Sequence, residues 1–141
     1  MTLEYPLVDV KDTSSIDSPV GPELRLPISG KVGSTTSAFH LTVQANEKTT
    51  YHRTNGCSEI SVLLSGRGTI FIGQQIFEVH AGHCIHIPLG IAHQFHNTSD
   101  QPAEIVGFYI GAGELTDAAF EESNTPQMAT FDNPPVVHWD D

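Results

Sequence analysis

The sequence predicts an all-β sandwich or barrel. Three observations carry that expectation. Short segments alternate apolar and polar residues at close spacing, glycines and prolines punctuate them, and no long helical period competes with them along the chain. SAFHLTVQ, 37–44, sets Phe39, Leu41 and Val43 on one face and His40, Thr42 and Gln44 on the other. SEISVLLSG, 58–66, is rich in β-formers and ends in SGRG, a turn that leads directly into TIFIG. QQIFEVH, 74–80, follows the next glycine, AGHCIHIP carries a short strand up to Pro88, and HQFHN and AEIVGFYIG, 103–111, close the regular part. ELTDAAFEE, 114–122, is the best helix candidate. Residues 1–23, broken by Pro6, Pro19, Gly21 and Pro22, read as an arm able to add an edge strand to this subunit or to a neighbour. The stretch 123–141 reads as an extension, either disordered or held on the surface with Trp139 as its anchor.

A chain of 141 residues accommodates one ordinary domain with a real core. Seventeen acidic residues against six basic ones give a net charge of -11, and Lys and Arg cluster nowhere, so nucleic acid and anionic membrane surfaces are excluded as partners. Two cysteines, Cys57 and Cys84, are too few for a disulfide framework and read as free buried thiols. MTLEYPLVDVKD lacks the basic-then-apolar order of an export leader, and no apolar run approaches a membrane span. A soluble cytoplasmic protein is the resulting expectation.

GHCIHIPLGIAHQFHN, 82–97, holds four of the eight histidines. A neutral imidazole is both a metal ligand and a tolerable half-buried side chain, so the segment alone permits a metal site, a pH switch or a strand that happens to carry histidines. Pro88 and Gly90 bracket a bend that would re-aim the segment carrying His93. Glu59 shares a strand face with Cys57, Ser61 and Leu63 and is flanked by apolar Ile60 and Val62. A carboxylate so placed is costly unless it meets a cation or strong donors. Arg53 and Arg67 are the alternative partners within reach of the same segments.

The 82–97 segment resembles the second motif of the cupin superfamily, with Gly82, Pro88, Gly90, His93 and Asn97 at the matching positions. HRTNGCSEISVLLSG resembles the first, supplying His52, Glu59 and Gly66, with Thr54 where a second histidine is expected. The resemblance extends over roughly residues 37 to 110. It implies a single domain, 1–141, whose jelly-roll β-barrel occupies about residues 24–111 between an N-terminal arm, 1–23, and a C-terminal extension, 112–141. It also implies a homodimer.

For the site, the resemblance implies His52, Glu59 and His93 as ligands to a divalent metal, Fe, Mn, Ni, Co or Zn, with Glu59 and His93 as the catalytic pair. Three ligands rather than four leave more positions open for a substrate, while the weakly ligating Thr54 hydroxyl lowers affinity. Thr54, Phe95, His40 and His86 are candidates for the substrate pocket. Phe95, two residues after His93, points the same way and would form an apolar wall. His40 would line the cavity or a dimer face. His86 lies outside if Ile85 and Ile87 pack inward, and enters the pocket if a bulge reverses the phase. His96 alternates away from His93, and Gln94 and Asn97 read as shaping the turn.

The leading expectation is a metal-dependent enzyme of a dioxygenase, isomerase or cyclase class, acting on a small organic molecule through a carbonyl, enol or carboxylate oxygen. The alternatives are a non-catalytic cupin that binds a small ligand or a metal, and a metal-independent sugar epimerase with Tyr51 or Tyr109 as acid. The scarcity of cations weighs against polyphosphorylated substrates and favours a neutral, aromatic or mono-carboxylate compound.

Overall fold

The computed structural model describes residues 7–127 and 131–139. Among them lie ten strands: β1 Glu23–Ile28, β2 Ser37–Val43, β3 His52–Thr54, β4 Glu59–Ser65, β5 Arg67–Ile72, β6 Gln75–His80, β7 Cys84–Ile87, β8 His93–His96, β9 Ala103–Tyr109 and β10 Phe120–Glu122. They form two five-stranded sheets, in the orders β1-β2-β9-β4-β7 and β10-β3-β8-β5-β6. Every ladder is antiparallel. This is the jelly-roll arrangement, an all-β, two-sheet fold. Among the described residues no ladder joins one sheet to the other, so β6 and β7 remain free edges where a closed barrel would pair them.

The alternation in the sequence becomes the division between inside and outside. Along β4, Glu59, Ser61 and Leu63 are buried while Ile60 and Leu64 are exposed. Along β9, Ala103, Ile105, Gly107 and Tyr109 are buried. The inner faces meet in a core that includes Leu24, Phe39, Leu63, Ile87, Phe95 and Ile105. Burying each of these large side chains contributes roughly 1.5–3 kcal/mol. Two glycines let aromatic rings lie flat against neighbouring strands. A Cβ on Gly107 would stand 2.7 Å from the Phe39 ring, and one on Gly68 would stand 2.9 Å from the Phe95 ring.

Asn97, fully buried just past β8, ties the two sheets together. Its Nδ2 donates to the carbonyls of Val43 and Gln101 at 3.0 and 2.7 Å, and its Oδ1 accepts from the Ser99 amide and hydroxyl at 2.9 and 2.7 Å. These contacts satisfy backbone groups at the end of β2 and in the loop after β8, together with the Ser99 hydroxyl. The asparagine therefore shapes the turn, as its sequence position suggests.

Several expectations are corrected. Residues 114–122 do not form one helix. A 3-10 turn at Leu115–Ala118 ends where Ala119 adopts a left-handed φ of 52°, and Phe120–Glu122 then pairs with β3 as β10. Nine residues are too few to sustain an isolated helix against that pairing. Cys57 is buried but Cys84 is exposed, because β7 turns Ile85 and Ile87 inward.

The arm is part of the domain. Ile16 bridges Leu24, and Val20 is buried in the core; Pro6 lies outside the described residues. The C-terminal extension docks on β6, where the Asp132 amide donates to the Gln74 carbonyl and the Asp132 carbonyl accepts from the Ile76 amide. The Phe131 ring meets Phe71 with centroids 5.3 Å apart. Trp139 is 89% exposed, so Phe131 and Asp132, and not Trp139, fix the extension. Among the described residues no helix is long and apolar enough to cross a membrane.

Candidate functional site

Three strand starts deliver the central side chains. His52 opens β3 and lies directly opposite His93, which opens β8. Glu59 opens β4 on the facing sheet, between Tyr109 of β9 and Ile87 of β7. The bend before β8 has the form expected from the sequence. Gly90 adopts a φ of 77°, which favours glycine, and its amide donates to the Thr54 carbonyl at 2.9 Å, anchoring the bend to β3.

Both imidazoles are oriented by backbone. The Nδ1–H of His52 donates to the Thr50 carbonyl at 2.8 Å, and that of His93 to the Ile91 carbonyl at 3.0 Å. A neutral ring that donates through Nδ1 carries its lone pair on Nε2. The two rings lie 4.3 Å apart, tilted by 60°. His93 Nε2 stands 3.9 Å from Glu59 Oε1, beyond hydrogen-bond range.

Electrostatics keeps this pair from being an ion pair. Burial pushes the Glu59 carboxyl up to about 7. Burial, followed by the neighbouring His52, drives His93 down to about 3. His52 is lowered too, chiefly by burial, against the opposing pull of its bond to Thr50 and of Glu122. An imidazole that stays neutral and a carboxyl that resists ionisation therefore face each other across a cavity.

The cavity has a volume of about 40 Å³ and is lined by His52, Glu59, His93, Ser61, Tyr109 and Phe95, among others. One water needs on the order of 10–15 Å³, so this space suits an ion and a few small atoms. Burial, then Glu59, raises the Tyr109 phenol well above its usual range, so it stays protonated as a hydroxyl donor. Among the described residues, no three or more His, Cys, Asp or Glu side chains are drawn together as a ready cation-binding group. The donor types nevertheless fit a divalent transition metal: two neutral imidazole nitrogens, on rings held by the Thr50 and Ile91 carbonyls, and one carboxylate.

The structure brings His52, Glu59, His93 and Phe95 to this cavity. It places the other three pocket candidates elsewhere. Thr54 is buried beneath the site, but its hydroxyl donates to the Cys57 carbonyl at 2.9 Å and closes the turn into β4. His40 faces away from the core, because Phe39 and Leu41 take the inward positions of β2, and its Nε2 lies 3.4 Å from Glu104. His86 is exposed, because the β4–β7 ladder runs without a bulge. Neither arginine pairs with Glu59. Arg53 donates to the Ser123 hydroxyl at 2.9 Å, and Arg67 is exposed.

Sequence reasoning missed Val20 and Thr49 as lining residues. Val20 sits in an irregular arm with no periodicity to mark it. Thr49 accepts the Phe95 amide on its hydroxyl at 3.0 Å, a contact that pins β8 from outside any strand.

The chain matches the cupin domain family over residues 39–110. An uncharacterized protein of Sinorhizobium fredii is 28% identical over 91 residues, covering 64% of this chain and 37% of that protein. An uncharacterized protein of Streptomyces coelicolor is 34% identical over 50 residues, covering 36% of this chain and 48% of that one. The chain thus spans less than half the length of these curated relatives. Among solved structures, an S161A mutant of Bacillus subtilis oxalate decarboxylase superposes with a TM-score of 0.67 at 16% identity, over 80% of this chain and 30% of that one. A Lactobacillus farciminis oxalate decarboxylase formate complex gives 0.64 at 18% identity, over 74% and 32%. At such identities these likenesses establish the fold.

The two shifted groups make metal-free stability depend on pH in opposite directions. His93, ordinarily near 6.5, titrates at about 3 when folded, so its contribution rises with pH between those values. Glu59, ordinarily near 4.5, titrates at about 7 when folded, so its contribution falls over that interval. The slopes oppose each other from about 4.5 to 6.5, and the lowered His52 adds a further rise with pH to that of His93. The change in melting temperature of the metal-free protein from pH 5 to pH 8 is expected to be more positive in Glu59→Gln than in the wild type, because only the wild type loses the Glu59 contribution over that range. Scanning calorimetry checks this, and an equal change in the variant would count against a buried, reluctant Glu59.

Proposed function

The chain belongs to the cupin domain family, and from that premise we propose that it is a metal-dependent enzyme acting on a small organic molecule. One observation carries this reading. Two histidines, each tied through Nδ1 to a backbone carbonyl, present Nε2 lone pairs to the same small cavity as a buried carboxyl that pairs with neither nearby arginine. Three electron-pair donors meeting in a low-dielectric space are costly until a cation joins them.

His52, Glu59 and His93 would hold that cation, which is Fe, Mn, Ni, Co or Zn. When bound it supplies a Lewis acid able to polarise a carbonyl, enol or carboxylate oxygen. The Mn(II) centres of the Bacillus subtilis oxalate decarboxylase that shares this fold support Mn as the first metal to try. The carbonyls of Thr50 and Ile91 keep both rings in the ligating tautomer. Phe95, Ile70 and Ile85 exclude water. Glu59, ionised once a cation is bound, would be its anionic ligand, and Tyr109 is placed to donate a hydrogen bond to a substrate oxygen. Dioxygenase, isomerase and cyclase chemistry all remain within this reading.

A second reading, a non-catalytic cupin that binds a ligand or metal, is favoured by Thr54. Its hydroxyl is committed to Cys57, so no fourth ligand stands in reserve. The sugar-epimerase alternative gains no support, since no Lys or Arg lines the cavity. We further propose that two copies pair through the outer face of the β1-β2-β9-β4-β7 sheet and that the dimer works in the cytoplasm. Ile60, Leu64 and Phe108 form an exposed apolar stripe there.

Elemental analysis of untagged protein, loaded with each metal in turn, tests the site. Close to one ion per chain is expected, with affinity falling at least tenfold in His52→Ala, Glu59→Gln and His93→Ala while the circular dichroism stays β-type. Thr54→His is expected to tighten binding. Retention of metal by all three ligand variants would overturn the assignment. For the pairing, sedimentation at micromolar concentration is expected to give a dimer mass that Phe108→Asp converts to a monomer; a monomer before substitution contradicts it.

A further inference from the structure

The space between the sheets does not end at the Glu59 cavity. Between the free edges β6 and β7 it opens into a cleft of about 700 Å³. The inner faces of β5, β6 and β7 supply its floor through Ile70, Ile72, Phe77, Val79 and Ile85. Two of these, Ile70 and Ile85, also line the small cavity that holds His52, Glu59 and His93. Cleft and cavity are therefore neighbouring compartments of one inter-sheet space, with Ile70 and Ile85 shared between their walls.

The dimensions and chemistry of the two compartments differ in a complementary way. The inner one holds only a few atoms and sets His52, Glu59 and His93 among largely apolar walls. The outer one falls within the roughly 300–1,000 Å³ typical of ligand pockets, and aliphatic and aromatic side chains make up most of its wall. Its polar groups are Asp132, two glutamines and the imidazoles of His83 and His86, with no Lys or Arg among the described lining residues. In a chain of net charge -11, such a cleft offers an anionic body no partner. A strand from another chain meets competition as well, because Asp132 of the extension already bonds to Gln74 and Ile76 on β6.

We propose that the cleft binds the uncharged, apolar body of a small-molecule ligand, aromatic or aliphatic, whose oxygen-bearing end reaches the Glu59 cavity between Ile70 and Ile85. The role of the inner end rests on the metal-enzyme reading above; the occupancy of the cleft does not. Val136, Val137 and Trp139 of the extension stand at the rim, where they would cover the ligand body.

The test uses 2-naphthol, an apolar body with a single hydroxyl, titrated into the full chain carrying 13C-methyl isoleucine and 15N-histidine, with naphthalene as the hydroxyl-free control. Both compounds are expected to shift the methyls of Ile70, Ile72 and Ile85 and to leave the outward-facing Ile60 in place. Only 2-naphthol is expected to move the His93 imidazole signals. Phe77→Asp is expected to weaken binding at least tenfold, and Val137→Asp, on the exposed extension, at least threefold with no effect on folding. Absence of shifts in the cleft isoleucines overturns the proposal. So do shifts in the cleft with His93 unmoved by 2-naphthol, or a dimer whose formation alone produces the cleft shifts. Metal content measured on the same sample separates the two claims: both sets of shifts in a chain that binds no metal would uphold the cleft and remove the metal reading.

Discussion

The carboxyl of Glu59 is buried opposite two imidazole nitrogens that both present lone pairs, and the rest of the site is arranged around that conflict. A carboxylate in such surroundings ordinarily recruits an arginine or several amide donors. Here His93 Nε2 stands 3.9 Å away, and burial has shifted both groups toward their neutral forms. An uncharged carboxyl beside an uncharged imidazole can be tolerated, but at 3.9 Å the two make no hydrogen bond. A bound cation would reverse the sign of every term at once, favouring the ionised carboxylate and keeping the imidazoles neutral.

The fold makes that arrangement rigid from outside the cavity. His52 and His93 are cross-strand partners at the starts of β3 and β8, so register alone sets their spacing. Glu59 arrives from the opposite sheet, held by ladders on both sides. The Nδ1 bonds to Thr50 and Ile91 turn the rings, Gly90 fixes the bend, and Asn97 fastens the far end of β8 to β2. None of these supports touches the cavity interior. The site is thereby preorganised at the expense of loop and turn chemistry rather than of the core.

Much of this was legible in the residues themselves. Period-two alternation placed the faces of β2, β4 and β9 because a one-residue slip would expose an entire apolar row. The spacing of His52, Glu59 and His93 survived folding because all three sit at strand starts, where turn geometry fixes direction. What could not be read depended on facts that no single strand contains. His86 had two possible phases until the unbroken β4–β7 ladder chose one. Cys84 looked buried until Ile85 and Ile87 claimed the inner face. Val20 carries no pattern, yet it closes the cavity. The acidic stretch around Leu115 resembled a helix because propensity is local, whereas the pairing of Phe120 with Thr54 is not. The hydroxyl of Thr54 was legible as a weak ligand, but its bond to Cys57 required the turn to be seen.

The central claim is that His52 and His93 both face one cation through Nε2. Pulsed electron paramagnetic resonance of the Mn(II)-loaded protein tests it most directly, because coupling to imidazole nitrogen reports ligation whether or not a substrate is known. The account predicts coupling from two histidines, reduced to one in either His52→Ala or His93→Ala. A bound Mn(II) signal with no histidine nitrogen coupling, or with coupling unchanged by both substitutions, would contradict it.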